Sequence, residues 1–231
     1  MLCCESKDYL SIYEYHNIYR GYTLYSKMSK KELFLRIFRK AEARYGHVEK
    51  RLAAEGWKEE WQTLIATVMS AQSRDETTIP IAEKLFERYE TLEKLGAARY
   101  EGVLSILQSI NYNKTKAKNV IAAANYILNN FRGRIPEDIE KLVEIPGVGR
   151  KTANLVLAEI HSKDAICVDT HVHRLSNVLG LVTTKTPHET EIALQKIAPR
   201  DYWSKINRIF VLWGKDVRGR DKKRLLNKLD E

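Results

Sequence analysis

Two glycines and two cations occupy five consecutive positions of this chain, Gly147, Val148, Gly149, Arg150 and Lys151, within the run IPGVGRK. The chemistry that this set supports is anion binding. Pro146 disfavours helical geometry in the residue before it, so a helix arriving from the N-terminal side should end at Ile145. Gly147 and Gly149 are both expected to permit positive φ and to let another backbone approach closely. A helix starting near Arg150 would then present free N–H groups and the positive end of its dipole to a phosphate. The bland alternative is a ligand-free turn between two helices. The sequence P-G-V-G between two apolar helical patterns, followed at once by R-K, is more specific than a lone glycine pair. Downstream, Asp169 stands just before the helical pattern THVHRLSN, where a carboxylate accepts backbone hydrogen bonds as an N-cap.

The elements that must position these residues read as helices almost throughout from Ser29. SKKELFLRIFRKAEARYG opens on a Ser N-cap and stops at Gly46. EEWQTLIATVMSAQ is more apolar and should be a buried helix. ETTIPIAEKLFERY, LEKLGAARY, YEGVLSILQSI and KTKAKNVIAAANYILNNF follow, separated by short breaks. GRIPEDIEKLVEI places Pro136 near a first helical turn, with acidic residues suiting the positive end of the dipole. After IPGVGRK come DTHVHRLSNVLG, PHETEIALQKIA and DYWSKINRIFVLWGKDV. No alternating strand of convincing length is present, and the expected fold class is all-α. The closing KDVRGRDKKRLLNKLDE reads as a solvated, fraying helix rather than a phosphate-binding arm. Residues 1–28 hold six of the chain's twelve tyrosines without either periodicity, and read as a loosely docked tail or as a segment ahead of a true start at Met28. Tyrosines stacking on bases are the other reading of that segment.

Composition narrows the classes. The 231 residues suffice for one large domain or two small ones, and 44% hydrophobic with 30% charged residues is an ordinary globular balance. No apolar run approaches the roughly 20 residues that span a bilayer, and the start lacks a signal-peptide pattern, so an intracellular protein is expected. The net charge of +9 favours a polyanionic partner. Cys3, Cys4 and Cys167 give neither a disulfide framework nor zinc-ligand spacing, and Cys167 within DAICVD reads as a buried small hydrophobe.

Four stretches then carry a resemblance. EKLVEIPGVGRKTANLVL resembles the helix-hairpin-helix motif of the endonuclease III family of DNA glycosylases. AICVDTHVHRLSNVLGLV resembles that family's VDTHV block, LIATVMSAQSRD its LLSAQ-x-x-D block, and NKTKAKNV its segment containing K-A and an amide. The likeness runs from about Lys31 to about Asp216. It implies that backbone amides around Gly147, Val148 and Gly149, with Arg150 beside them, hold DNA phosphates, and that the target base is flipped into a pocket between two domains. Lys151 would be the nucleophile that displaces the base and forms a Schiff base, with partial desolvation near a helix N-terminus lowering its pKa. Asp169 would face it, assist its activation and stabilise positive charge on the sugar, while also capping its helix. Gln72 would enter the gap left by the extruded base, Ser70 would line the cleft, and His171 would belong to the base pocket. Asn111 and Tyr112 replace the family's usual glycine and apolar wedge, and Tyr112 would stack against the orphaned base.

The chain departs from the family at its C-terminus. Most members end with four cysteines binding a four-iron–four-sulfur cluster, whereas WGKDVRGRDKKRLLNKLDE contains none and Arg218 stands near the place of the first. The expectation is therefore a member with no cluster and no metal site, whose basic end replaces the DNA contacts of the cluster loop. Truncation after Val217 should then weaken DNA binding and flatten its salt dependence.

The architecture implied is a helical barrel over 54–163 and a second, discontinuous helical domain from 29–53 plus 164–231, with DNA in the cleft between them. The function implied is a bifunctional DNA glycosylase/AP lyase of base excision repair, acting as a monomer on double-stranded DNA with a damaged pyrimidine or an abasic site. A uracil or mismatched-thymine glycosylase is the alternative within the class. A non-catalytic helix-hairpin-helix DNA-binding protein is the alternative outside it, and the pairing of Lys151 with Asp169 argues against that. No membrane is involved, and the protein should reside with the cell's DNA.

Overall fold

The structure, a computed structural model, describes residues 28–161 and 165–231. The tyrosine-rich start lies outside the described residues, so the readings of that segment rest on sequence alone. Among the described residues there is no strand, and no helix is long and apolar enough to cross a membrane.

Helix α1 (Lys30–Tyr45) begins where the sequence signals it. The Ser29 hydroxyl accepts from the Glu32 N–H at 3.2 Å, and the Glu32 carboxylate accepts from the Ser29 N–H at 2.8 Å, a reciprocal cap. Glu59 and Gln62 repeat the device at the start of α2 (Glu60–Ser70). Helices α3 (Asp75–Arg88), α4 (Leu92–Gly96), α5 (Tyr100–Ile106), α6 (Asn113–Phe131) and α7 (Ile139–Val143) follow. Pro136 sits ahead of α7 rather than in its first turn, because Asp138 takes the capping position and accepts from the N–H groups of Glu140 and Lys141. Beyond the hairpin run α8 (Arg150–His161), α9 (Thr170–Val178), α10 (Pro187–Ile197), a 3₁₀ turn at Arg200–Tyr202, α11 (Trp203–Asp216) and α12 (Lys222–Asn227).

These helices bury two separate apolar clusters. The first spans Trp61 to Ala165 and is built on α2, α3, α6 and α8. The second joins Leu33–Leu52 to Ile166–Leu229, so the first helix of the chain packs with the last ones. Aromatic rings dominate its centre: Phe38 stacks on Phe34 at 5.3 Å and meets Tyr202 edge-on at 5.2 Å, while Phe210 meets Trp213 at 5.8 Å. Each such side chain contributes about 1.5–3 kcal/mol by leaving water.

The C-terminus differs from expectation. Asp221 caps α12, and Leu225 and Leu229 dock into the second cluster, Leu225 with no exposed surface. The segment is a packed element and not a fraying one. Its cationic residues face solvent because the two leucines point the other way, a pattern that the density of charge obscures in the sequence.

Candidate active site

The hairpin is anchored by its apolar residues. Ile145 and Val148 are buried in the first cluster, and the Val148 N–H bonds the Ile145 carbonyl at 3.0 Å. Gly147 adopts φ +83°, and a Cβ there would lie 3.0 Å from both Val68 and Asn119, so conformation and space both demand glycine. Gly149 is different: its φ is not positive and nothing lies within 4 Å of where a Cβ would stand. The expectation that both glycines serve the turn is thus corrected. Only Gly147 is needed by the fold, while Gly149 leaves open space at the head of α8. Gly147→Ala is expected to destabilise the protein by about 2 kcal/mol through strain and overpacking, read as a fall in Tm. Gly149→Ala should leave Tm unchanged, because nothing stands near the added methyl group, and a loss of affinity for a DNA duplex in that variant would mark the open space as the place where a phosphate approaches.

Lys151 lies in the first turn of α8, exposed to solvent rather than partly desolvated as expected. Any exclusion of water around it must come from a bound ligand. Its carbonyl accepts the Cys167 thiol at 3.4 Å. Cys167 is 1% exposed, and burial pushes its thiol up to about 12, opposed by Lys151 and reinforced by Asp169 and Glu191. A thiol so placed is a packing group and not a nucleophile.

Two buried asparagines complete this junction. The Asn154 amide donates to the Ile166 carbonyl at 3.3 Å and the Asn207 amide to the Cys167 carbonyl at 3.1 Å. Segment 166–169 is thereby pinned between α8 and α11, which delivers Asp169 to the neighbourhood of Lys151. The electrostatics agree: the charges of Lys151 and Asp169 both act on Cys167 and on His171. Asp169 caps α9, its Oδ1 accepting from the N–H groups of His171 and Val172 at 2.8 Å each. The His171 ring is half-buried, its Nδ1 has no hydrogen-bond partner, and it packs against Gly214, where any Cβ would come within 2.5 Å of that nitrogen. Burial lowers its pKa from the ordinary value, against the opposing pull of Asp169.

A second group of expected residues gathers close to the hairpin, since the Val68 and Asn119 side chains that crowd Gly147 belong to the same helices, α2 and α6, that carry Ser70 and Lys116. Ser70 closes α2, its hydroxyl donating to the Thr67 carbonyl at 2.9 Å. Gln72 is exposed at φ +55°, and Tyr112 is 66% exposed at φ +58°. Left-handed geometry is uncommon for such residues and costs about 1 kcal/mol or more each. Asn111, beside Tyr112 and exposed, donates from its side-chain amide to the Gln72 carbonyl at 2.8 Å and braces that loop. Lys116 is 5% exposed and reaches the Ser73 hydroxyl at 2.9 Å, its pKa brought down to about 8 by burial. These two bonds knit the Gln72 loop to the start of α6 and hold Gln72 and Tyr112 outward together.

Arg150 is also committed within the protein. Its guanidinium meets the Glu191 carboxylate with both forks, Nε to Oε2 at 3.3 Å and Nη2 to Oε1 at 3.2 Å. At the C-terminal end, the Arg174 guanidinium donates to the carbonyls of Gly214 at 2.9 Å, Val217 at 3.3 Å and Gly219. Gly219 has φ +96°, and the exposed Arg218 and Arg220 flank it.

Comparisons with known proteins agree with this geometry. The family model described as "HhH-GPD superfamily base excision DNA repair protein" matches residues 65–200. Endonuclease III of Thermotoga maritima is 42% identical over 157 residues, covering 68% of this chain and 74% of that protein. Two solved structures superpose closely. A non-covalent endonuclease III–DNA complex gives a TM-score of 0.77 at 28% identity, covering 87% of this chain and 94% of that one. A trapped endonuclease III–DNA covalent intermediate, an estranged-adenine complex, gives 0.76 at 29% identity, covering 84% and 90%.

Proposed function

The chain belongs to the HhH-GPD superfamily of base excision DNA repair proteins, and from that premise we propose that Lys151 and Asp169 carry its chemistry at a damaged pyrimidine. The protein is a DNA N-glycosylase with AP-lyase activity, and it binds DNA. It works inside the cell, beside the DNA that it repairs. The observation that supports the residue assignment best is the junction at Cys167, which ties the first turn of α8 to the segment ending in Asp169. It sets the backbone of Lys151 beside the segment that ends in Asp169, at the head of a hairpin with open space over Gly149.

In the proposed reaction the Lys151 amine attacks C1′ of the extruded nucleotide. The N-glycosidic bond breaks and the base leaves with its electron pair; the C1′–O4′ bond then opens as the C1′=N bond of the Schiff base forms, the two protons of the amine passing to the departed base and to O4′. Asp169 stabilises the positive charge that develops on the sugar. Loss of a C2′ proton from the imine then expels the 3′ phosphate and cuts the strand. The amides of Gly147 and Gly149 hold the backbone, that of Val148 being engaged by the Ile145 carbonyl, while Gln72 and Tyr112, already turned outward, fill the space that the base vacates and stack on its widowed partner. One protein molecule acts on one duplex site. The test is a panel of duplexes carrying thymine glycol, uracil, a mismatched thymine or an abasic site, each reduced with borohydride in the presence of the protein. An adduct mapped by peptide mass to Lys151 is the expected result, strongest among the base lesions for thymine glycol. Preference for uracil or mismatched thymine would replace the oxidised-pyrimidine reading, and attachment at another lysine would overturn the assignment.

We further propose that no iron–sulfur cluster is used. The stretch after Lys215 has no thiol, and among the described residues no group of His, Cys, Asp or Glu gathers in a way that fits a metal. Arg174 instead racks the 214–219 loop by its carbonyls and presents Arg218 and Arg220 to the phosphates. Truncation after Val217 would also strip Leu225 and Leu229 from the core, so charge removal is the cleaner experiment. Arg218→Ser with Arg220→Ser should keep Tm and weaken DNA binding, lowering the slope of log affinity against log salt by about 1–2.

A further inference from the structure

Glu191 is a buried acid that the reaction described above does not use. Its side chain is 7% exposed on α10, in the cluster opposite to that of the hairpin. A carboxylate out of water is strongly unfavourable unless it is paired, and one near a phosphate-binding face also repels the ligand. Its partners explain its presence. Both of its oxygens are held by Arg150 in fork geometry, and His188 Nδ1 stands 3.9 Å from Oε2, adding attraction only when protonated. Arg150 opens α8 and immediately precedes Lys151. The same helical turn is tied from its other side by the Cys167 thiol on the Lys151 carbonyl. The second cluster therefore grips the lysine twice, once by its backbone and once by its neighbour's side chain.

We propose that Glu191 is a positioning residue for Lys151. By holding Arg150 across the cleft, it fixes the first turn of α8 against the domain that carries Asp169. The inference rests on the reading of Lys151 as the nucleophile. It also reassigns Arg150 from a free phosphate ligand to a latch, because release of Arg150 to DNA would leave a buried carboxylate unpaired.

Three variants test it: Glu191→Gln, Arg150→Gln and the double variant. The rate of borohydride trapping is measured at saturating abasic duplex, and affinity is measured separately on a duplex with a tetrahydrofuran abasic analogue. Glu191→Gln should slow trapping by about 10- to 100-fold, as expected for a nucleophile displaced by a fraction of an ångström to an ångström, with affinity within about threefold of the parent. Arg150→Gln should reproduce the loss of rate, and the double variant should be no slower than the worse single one. Glu191→Asp should recover part of the rate. Trapping at the parental rate in Glu191→Gln overturns the inference, and so do additive losses in the double variant. If Glu191→Gln fails to fold, the half-exposed Arg150 reads the same contact, and an unchanged rate in Arg150→Gln overturns it equally. A parent protein that traps on no substrate would instead refute the lysine reading itself.

Discussion

Lys151→Ala is expected to bind an abasic duplex with the parental affinity, to give no borohydride-trapped adduct, and to lose strand cleavage by about 10⁴-fold or more. The size of the effect follows from the step removed: without a primary amine at C1′, no imine forms and β-elimination has no electron sink. The fold should not register the change. Lys151 is exposed in a first helical turn, its only contact with Cys167 is through its carbonyl, and alanine is the best helix former, so stability should move by no more than about 0.5 kcal/mol. Thermal unfolding in parallel with the trapping assay separates lost chemistry from lost structure. Lys151→Arg is the companion variant, since it keeps a cation for phosphate attraction but forms no imine. Residual adduct in either would show that another amine does the chemistry.

Asp169→Asn is expected to reduce trapping and base release by about 10²- to 10³-fold while leaving Tm nearly unchanged. In the proposed reaction the carboxylate has a second task besides its observed one as a cap, and this substitution divides the two. As a cap it accepts the N–H groups of His171 and Val172 through Oδ1, and an amide oxygen can accept the same bonds, asparagine being as good an N-cap as aspartate. As a charge near the reacting sugar it has no neutral substitute. Asp169→Ala should show the same catalytic loss and in addition cost about 1 kcal/mol of stability. Equal Tm losses in the two variants would mean that the charge itself is structural, and parental activity in Asp169→Asn would remove Asp169 from the mechanism.

Much of this architecture could be read from local pattern. The Ser29 cap, the apolar α2 and the hairpin at IPGVGRK are each specified within a few residues, and the absence of alternating runs agrees with the all-helical fold among the described residues. The misreadings share a cause, which is that the deciding partner is distant in sequence. Nothing in P-G-V-G tells which glycine carries the positive φ; Val68 and Asn119 crowd Gly147 and leave Gly149 free. The bond of the Asn111 amide to the Gln72 carbonyl, 39 positions away, is likewise invisible in the local pattern, which shows only a departure from the family's glycine and wedge. Asn154, Asn207 and Glu191 are unremarkable letters in helical stretches, and only the packing of α8, α10 and α11 shows what they hold. Leu225 and Leu229 were masked by the surrounding charge for the same reason. The desolvation expected at Lys151 was an inference from chemistry, and the free protein leaves that amine in water.

The way the second cluster is assembled from both ends of the chain has a consequence for biosynthesis. The ribosome delivers α1 ahead of every other described helix, with Phe34 and Phe38 on its apolar face, yet their partners Tyr202 and Phe210 come only with the 3₁₀ turn and α11, after all the helices of the first cluster. The first cluster, contiguous in sequence, is free to condense as it emerges, while α1 waits with an uncovered greasy stripe. The hairpin and Lys151 therefore exist before the platform that presents Asp169 has closed. A nascent chain that has not yet made α11 carries the Gly147 hairpin and Lys151 but lacks the core that seats α9 and its Asp169 cap, so the two residues proposed to act together come into register only after the second cluster has closed.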